Sequence, residues 1–549
     1  MLRYGILLNA LSLFLVSGFS IIKPGPTYPP TKGEVWPRLQ QQTKEETYFK
    51  LLPPDFTFTE KGQTCDKLKA AIKRYNNVLK NTHLIATRHA QKIRNHDNHG
   101  TNTDSNYKGT LQELQINLSA PCESYPHLDM DEKYSLNVSA VSTLNSDSIW
   151  GVLRGLETFS QLFYMSEDYK DVFIKTTQIV DFPKYTHRGL LIDTSRHYLA
   201  IPTILKTLDA MEMNKMNVLH WHIVDDQSFP YQSEKFPELS KAAYEQTLIY
   251  TAANIKEIVK YAAERGIRVL PEFDVPGHTS SWGVAFPNIL TKCYRAGKEI
   301  GLGPMDPTND ETYRVVSDLL HEVQERFPDK FLHVGGDEVD MDCWSSNPQI
   351  LQYMAKHNMT RPSELHSHFM SRVIPLLGDR IKPIVWQEVF DEGVTLPSGT
   401  IVQVWKHLEA WEMGNILSAG YKVIYSASWY LDHVSGGGDW NKYYTADPRV
   451  TVSAYYPDMN VDNILGGEAC MWGEVVNDMN MISRVWPRAS AVAEILWSGS
   501  TNQFVHYNYV DLPEDISNRL EEHTCRMNRR GVNAQPPNGP GFCITENIN

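Results

Sequence analysis

RGLLIDTSRHYLAIPTILKTLDAMEMNKMNVLHWHIVDD, residues 188–226, contains one full unit of the fold. Leu190, Leu191 and Ile192 form a continuous apolar run that ends on Asp193. Ile204, Leu205, Leu208 and Met211 then recur at helical spacing. A second apolar run, MNVLHWHIVDD (216–226), closes the unit on two acids. A strand apolar along its whole length, and not alternating, is covered on both faces, which is the habit of a parallel sheet wrapped in helices.

The texture recurs down the chain. IRVLPEFDVP (267–276), FLHVGGDE (331–338), KPIVWQE (382–388), TIVQVWK (400–406), YKVIYSAS (421–428) and ILGGEACMW (464–472) bring the number of such runs to eight. ANIKEIVKYAAERG (253–266) places Ile255, Ile258, Val259 and Ala262 on one helical face, with Gly266 as the stop. Eight strands separated by helices predict an α/β fold, a (β/α)8 barrel over 183–549. The alternative, an open doubly wound sheet, calls for an early phosphate-type glycine loop, and the chain has none. Residues 21–182 read as a small α+β domain. KLKAAIKRYNNVLK (67–80) is amphipathic, LQELQINLSA (111–120) and KYSLNVSA (133–140) alternate as half-buried strands do, and SIWGVLRGLETFSQLFYM (148–165) has helical spacing. A polar run, RNHDNHGTNTDSN (94–106), reads as a loop.

Each barrel run ends in polar or aromatic residues: Asp193 to Arg196, Asp225 with Asp226, Asp274 to His278, Asp337 with Glu338, Trp386 to Glu388, Trp405, Trp429 with Tyr430, and Trp472 to Glu474. In a barrel these ends share one face, and that face carries the active site. Carboxylates between tryptophan walls suit glycoside hydrolysis, in which one acid protonates the leaving oxygen and a partner stabilises the cationic sugar. Asp337 and Glu338 are adjacent, so they would titrate as a coupled pair, one keeping its proton to higher pH. Neighbours on a strand point opposite ways. Both can serve one pocket only if the strand ends at Gly335–Gly336 and the chain turns there. His220 and His222 form an H-x-H pair, which can hold a metal in some barrels; without a complementary histidine set they read as hydrogen-bonded packing residues, and no metal or cofactor is expected.

RGLLIDTSRHYL, HWHIVDDQSFPY, EFDVPGHTSSW, LHVGGDEVDMDCW, WQEVF, GGEACMWGE and WPRASAVAEILWS, in that order, resemble the β-N-acetylhexosaminidases of glycoside hydrolase family 20. The resemblance runs from about residue 25 to the C-terminus. It implies an exo-acting enzyme that removes terminal GlcNAc or GalNAc with retention, borrowing its nucleophile from the substrate's acetamido group. Carried over by position, Glu338 is the general acid/base, Asp337 orients the acetamido group, Tyr430 holds its carbonyl oxygen, and Asp225 with His278 tunes Glu338. Arg196 and Glu474 bind sugar hydroxyls, and Trp386, Trp405 and Trp472 wall the pocket. Arg196 reads equally well as a structural ion pair, and Trp386 and Trp405 read also as barrel core. Asp432 stands where the neutral-substrate members of the family have an acid, which implies neutral sugars; His433 beside it would be cationic at acidic pH. The segment 294–307 lacks an insert tied to glycolipid substrates. The family also implies a homodimer and a lysosomal or secreted location. The alternatives are a secreted enzyme acting on chitin fragments and a non-catalytic sugar-binding protein.

Composition agrees with a secretory globular enzyme. Residues 1–20 read as a signal peptide, Arg3 followed by an apolar stretch of about 17 residues, with an uncleaved anchor as the alternative. A net charge of −13 argues against nucleic-acid and anionic-membrane partners. Sequons stand at Asn117, Asn137 and Asn358. Seven cysteines suit three disulfides and one free thiol, and chain order suggests Cys65–Cys122, Cys293–Cys343 and Cys525–Cys543.

Overall fold

The computed structural model describes residues 31–92, 104–433, 438–499, 512–538 and 541–544; the signal-peptide segment and most of the polar run 94–106 lie outside them. The first domain is an eight-stranded mixed sheet. Its strands run Thr57–Gly62, Glu113–Leu118, Val141–Ser146, Tyr134–Val138, Val172–Asp181, Gln41–Lys50 and Tyr107–Thr110 in spatial order, with Tyr164–Met165 paired to Val172–Asp181. Helices Asp66–Lys92 and Ile149–Gln161 pack together on it. Ile149–Gln161 starts where the Ser148 hydroxyl accepts the Trp150 amide, and every residue in it is buried. Within it Arg154 bonds Glu132 at 2.8 Å and the carbonyls of Arg265 and Gly266 at 3.0 and 2.8 Å, which ties this domain to the barrel.

The second domain is a closed, all-parallel barrel. Its strands are β1 (His187–Asp193), β2 (Val218–His222), β3 (Arg268–Glu272), β4 (Phe331–His333), β5 (Lys382–Trp386), β6 (Ile401–Val404), β7 (Lys422–Tyr425) and β8 (Ile464–Met471), paired in sequence order with β8 returning to β1. All eight predicted runs are strands, and the helix after β1 spans Ile201–Met213. The period of two sorts the inward side chains into layers. Val218, Leu270, Ile384, Ile401 and Ile424 make an apolar floor, closed from below by Leu128 of the first domain. The next layer is polar: His220, Glu272, Gln403 and Glu468 are all fully buried. Gly189 makes room for it, since a Cβ there would lie 2.4 Å from Glu468 Cγ. An antiparallel hairpin, Leu290–Arg295 with Lys298–Met305, follows β3 and was not legible in the apolar pattern.

Three disulfides form as chain order suggested, Cys65–Cys122, Cys293–Cys343 and Cys525–Cys543, leaving Cys470 free and buried. Among the described residues no helix is long and apolar enough to cross a membrane.

Candidate active site

Strand β4 stops at His333, and the chain then turns through Gly335 (φ +65°) and Gly336 (φ +100°). A Cβ on Gly335 would fall 1.7 Å from Asp274 Oδ1. Only glycine fits that backbone and that approach. The turn carries both carboxylates into one region: His278 Nε2 lies 3.7 Å from Asp337 Oδ2 and 3.7 Å from Glu338 Oε2. Asp337 is buried, whereas the Glu338 side chain is 58% exposed, open to a substrate oxygen. Glu338 (φ +49°) and His278 (φ +57°) both hold left-handed backbones, a local strain of the kind found at working sites.

Behind His278 the structure assembles more than the expected pair. Asp225 Oδ1 is 3.1 Å from His278 Nδ1, and its Oδ2 is 2.8 Å from His222 Nε2. His222 Nδ1 reaches Glu272 Oε2 at 2.7 Å, and His220 Nε2 lies 3.0 Å from the same oxygen. His220 Nδ1 meets Glu468 Oε2 at 2.7 Å, and Glu468 Oε1 meets His187 at 2.6 Å. A ladder of imidazoles and carboxylates thus descends from His278, which lies 3.7 Å from Glu338, into the polar layer of the barrel. Burial opposes charge on every rung, but at His220 and His278 the neighbours outweigh it: Glu468 and Glu272 raise His220 to about 9, and the Asp225 hydrogen bond and Asp337 raise His278 to about 9. Asp225 and Glu468 are correspondingly held well below the usual carboxylate range. His187, at the far end, is pushed down by burial and stays neutral.

Asp274 was named in the sequence only as a strand end. Burial and the neighbouring Asp337 push its carboxyl well above the usual range. It also accepts the Gly336 amide at 2.8 Å, fixing the turn.

The aromatic residues differ in depth. Trp405 stacks on Tyr430 with centroids 5.9 Å apart, and Trp472 stands 6.5 Å from Tyr430; all three are partly exposed. Trp386 is fully buried beneath them, 4.9 Å from His333, and donates its N–H to Glu272 at 2.8 Å, so it is a floor and not a wall. Burial, with Cys470 and Asp337 nearby, raises the Tyr430 phenol well above its ordinary value and keeps it a proton donor. Arg196 pairs with Asp193 and Asp225, each at 2.9 Å, lies 3.7 Å from Glu474, and covers the Trp472 ring at 5.3 Å. Asp432 lies partly buried near Tyr430, with Oδ1 lacking a hydrogen-bond partner among the described residues.

His220 and His222 prove buried and carboxylate-bonded, as packing residues would be. The signal for the deeper rungs was present in the sequence: His220, Glu272 and Glu468 interrupt otherwise apolar strands, and an ionisable group there needs a partner. Their partners come from strands up to 281 residues apart, which no local pattern reveals.

A parallel barrel bearing a glycine-turned acidic pair among stacked tryptophans is the architecture of a barrel glycosidase. Comparison with known proteins narrows this. Residues 185–500 match the family model described as glycosyl hydrolase family 20, catalytic domain, and residues 35–162 match the one described as beta-acetyl hexosaminidase like. Human beta-hexosaminidase subunit beta is 42% identical, over 96% of this chain and 91% of its own. Mouse beta-hexosaminidase subunit alpha is 40% identical, over 93% and 95%. A solved chitobiase from Flavobacterium johnsoniae superposes with a TM-score of 0.76 at 31% identity, covering 91% of this chain and 73% of that one. The chain belongs to glycosyl hydrolase family 20. It is an enzyme, a β-hexosaminidase.

Proposed function

We propose that the enzyme releases terminal, non-reducing GlcNAc and GalNAc from glycoconjugates by a substrate-assisted, retaining reaction. Glu338 donates a proton to the glycosidic oxygen while the substrate's acetamido oxygen attacks the anomeric carbon and the glycosidic bond breaks. Asp337 accepts the acetamido N–H and offsets the positive charge of the cyclic intermediate. Tyr430 donates to the attacking carbonyl oxygen. Water then opens the ring, giving its proton to Glu338. The observation that carries this reading is the Gly335–Gly336 turn, which presents Asp337 and Glu338 at equal distance from His278 with Tyr430 nearby. Glu338→Gln should abolish hydrolysis and retain sugar binding by calorimetry; full hydrolysis in that variant sinks the proposal, and a wild type that binds but never cleaves leaves a sugar-binding protein.

Oδ1 of Asp432, which has no hydrogen-bond partner among the described residues, supports neutral substrates: it would accept a hydroxyl hydrogen bond and repel a sulfate. In this reading Arg196 and Glu474 hold hydroxyls of the terminal sugar, which is supported by their 3.7 Å approach and by Arg196 lying over the Trp472 ring. A second reading, cleavage of chitin fragments, is supported by the name of the Flavobacterium relative and by a groove of about 680 Å³ beyond Tyr430 lined by Trp411, Tyr455 and Tyr456. Relatives carry the name subunit. An apolar rim on the catalytic face, Leu408, Trp411, Tyr455, Val475 and Met479, supports a homodimer, which light scattering tests. Three disulfides support passage through an oxidising compartment, and a lysosomal or secreted destination, with glycans on Asn117, Asn137 and Asn358, follows from that route.

A further inference from the structure

At the opposite end of the barrel, where helices end and strands begin, a cavity of about 230 Å³ opens between the two domains and the C-terminal helix Glu514–Arg529. Its charge is unlike the rest of an acidic protein. Five arginines, Arg74, Arg265, Arg526, Arg529 and Arg530, line it. Most are matched by acids: Arg74 with Glu212 at 2.7 Å, Arg265 with Asp209 at 2.8 Å, Arg530 with Glu157 at 2.9 Å, and Arg526 with Glu522 at 3.3 Å. Arg529 is left over. Among the described residues it has no ion pair and no hydrogen bond, and burial, with Arg526 and Arg530 nearby, depresses it to about 10. Arg74 is the second unspent donor, since its buried Nε has no acceptor.

Arg529 is only partly buried, and the carboxylate of Glu522 acts on it without forming an ion pair, so its N–H groups are left to take another acceptor. A bound oxyanion would supply that acceptor, because guanidiniums present paired N–H groups that match its geometry. We infer that this cavity is an anion site for a small ligand bearing a phosphate or sulfate group, held by Arg529 and Arg74, with Ser160 and Thr82 also lining it. Its walls come from helix Asp66–Lys92 and helix Ile149–Gln161 of the first domain, helix Ile201–Met213 of the barrel, and the C-terminal helix. A bound anion would therefore clasp the domains together. The site lies away from Glu338, so occupancy acts on stability and not on the chemistry.

The test is thermal unfolding of the full protein in rising inorganic phosphate, in N-acetylglucosamine 6-phosphate, and in chloride at matched ionic strength. The wild type should gain a saturable rise in Tm of about 2 °C at ten times the dissociation constant, and chloride should give none. Phosphate alone sufficing assigns a free-ion site; a tighter response to the sugar phosphate assigns a phosphorylated metabolite. Arg529→Gln should fold, keep its hydrolytic rate and lose the response. No rise with either phosphate compound, or an equal rise in Arg529→Gln, overturns the inference.

Discussion

Raising the pH from 6 to 9 should loosen this fold, and the ladder inside the barrel sets the size of the effect. His220 and His278 are each raised from 6.5 to about 9 in the folded chain. A group whose pKa is higher folded than unfolded contributes fully below the unfolded value and loses that contribution as pH climbs through the folded one. The window for these two imidazoles is therefore 6.5 to about 9. For His278, which is nearly buried, the rise corresponds to about 3 kcal/mol at roughly 1.4 kcal/mol per pH unit. His220 adds to this less than additively, because it and His222 share Glu272. Asp225 and Glu468 act in the other direction: both are depressed, so their contribution is present above the ordinary carboxylate range and lost as pH falls below it. Stability should peak between these limits, near pH 5 to 6.5. Scanning calorimetry from pH 4 to 9.5 at constant ionic strength reads this directly. Tm should fall between pH 6 and 9 by roughly 5 °C. His278→Asn should start lower and fall less steeply. A Tm that holds steady or climbs from pH 6 to 9, or an unchanged slope in His278→Asn, refutes the assignment of charged imidazoles to the ladder.

Three substitutions test other parts of the account. Asp337→Asn should cut kcat on aryl GlcNAc by about 10²- to 10³-fold with little change in KM, since its charge matters once the cyclic cation forms; a proportional rise in KM with kcat intact would point to simple binding. Gly335→Ala drives a Cβ against Asp274 in a left-handed backbone and should lower stability by more than about 2 kcal/mol while erasing activity, as measured by urea unfolding and initial rates. Cys343→Ser releases the helix Met341–Ser346, which follows Glu338, from the hairpin carrying Cys293, and should cost about 2–4 kcal/mol in unfolding together with part of kcat. Unaltered urea midpoints would show that the crosslink does not brace this loop.

The barrel was readable because parallel strands buried on both faces leave unbroken apolar runs, and each of the eight runs is a strand. The catalytic face was readable for a related reason: Asp225, His278, Glu338 and Trp472 mark where a strand leaves the core. The hairpin Leu290–Met305 escaped because Lys298, Glu299 and the glycines around them carry no apolar run, and its position depends on a disulfide to Cys343. The sequence leaves the depth of Trp386 open between pocket wall and barrel core, since a tryptophan at a strand end reads the same whether it lines a pocket or floors it. Most of all, the ladder is a product of closure: His220 sees Glu468 because β8 returns to β1, which brings β2 within reach of it. Only a closed barrel brings those rungs into contact.

The central claim is that the substrate's own acetamido group is the nucleophile, with Asp337 and Tyr430 arranged to serve it. Initial rates on matched aryl β-glycosides of N-acetylglucosamine and of glucose, which carries a plain 2-hydroxyl, measure that directly. The account predicts hydrolysis of the glucoside slower by at least about 10³-fold, because without the acetamido group the bound sugar has no nucleophile within reach. Comparable rates on the two would contradict it.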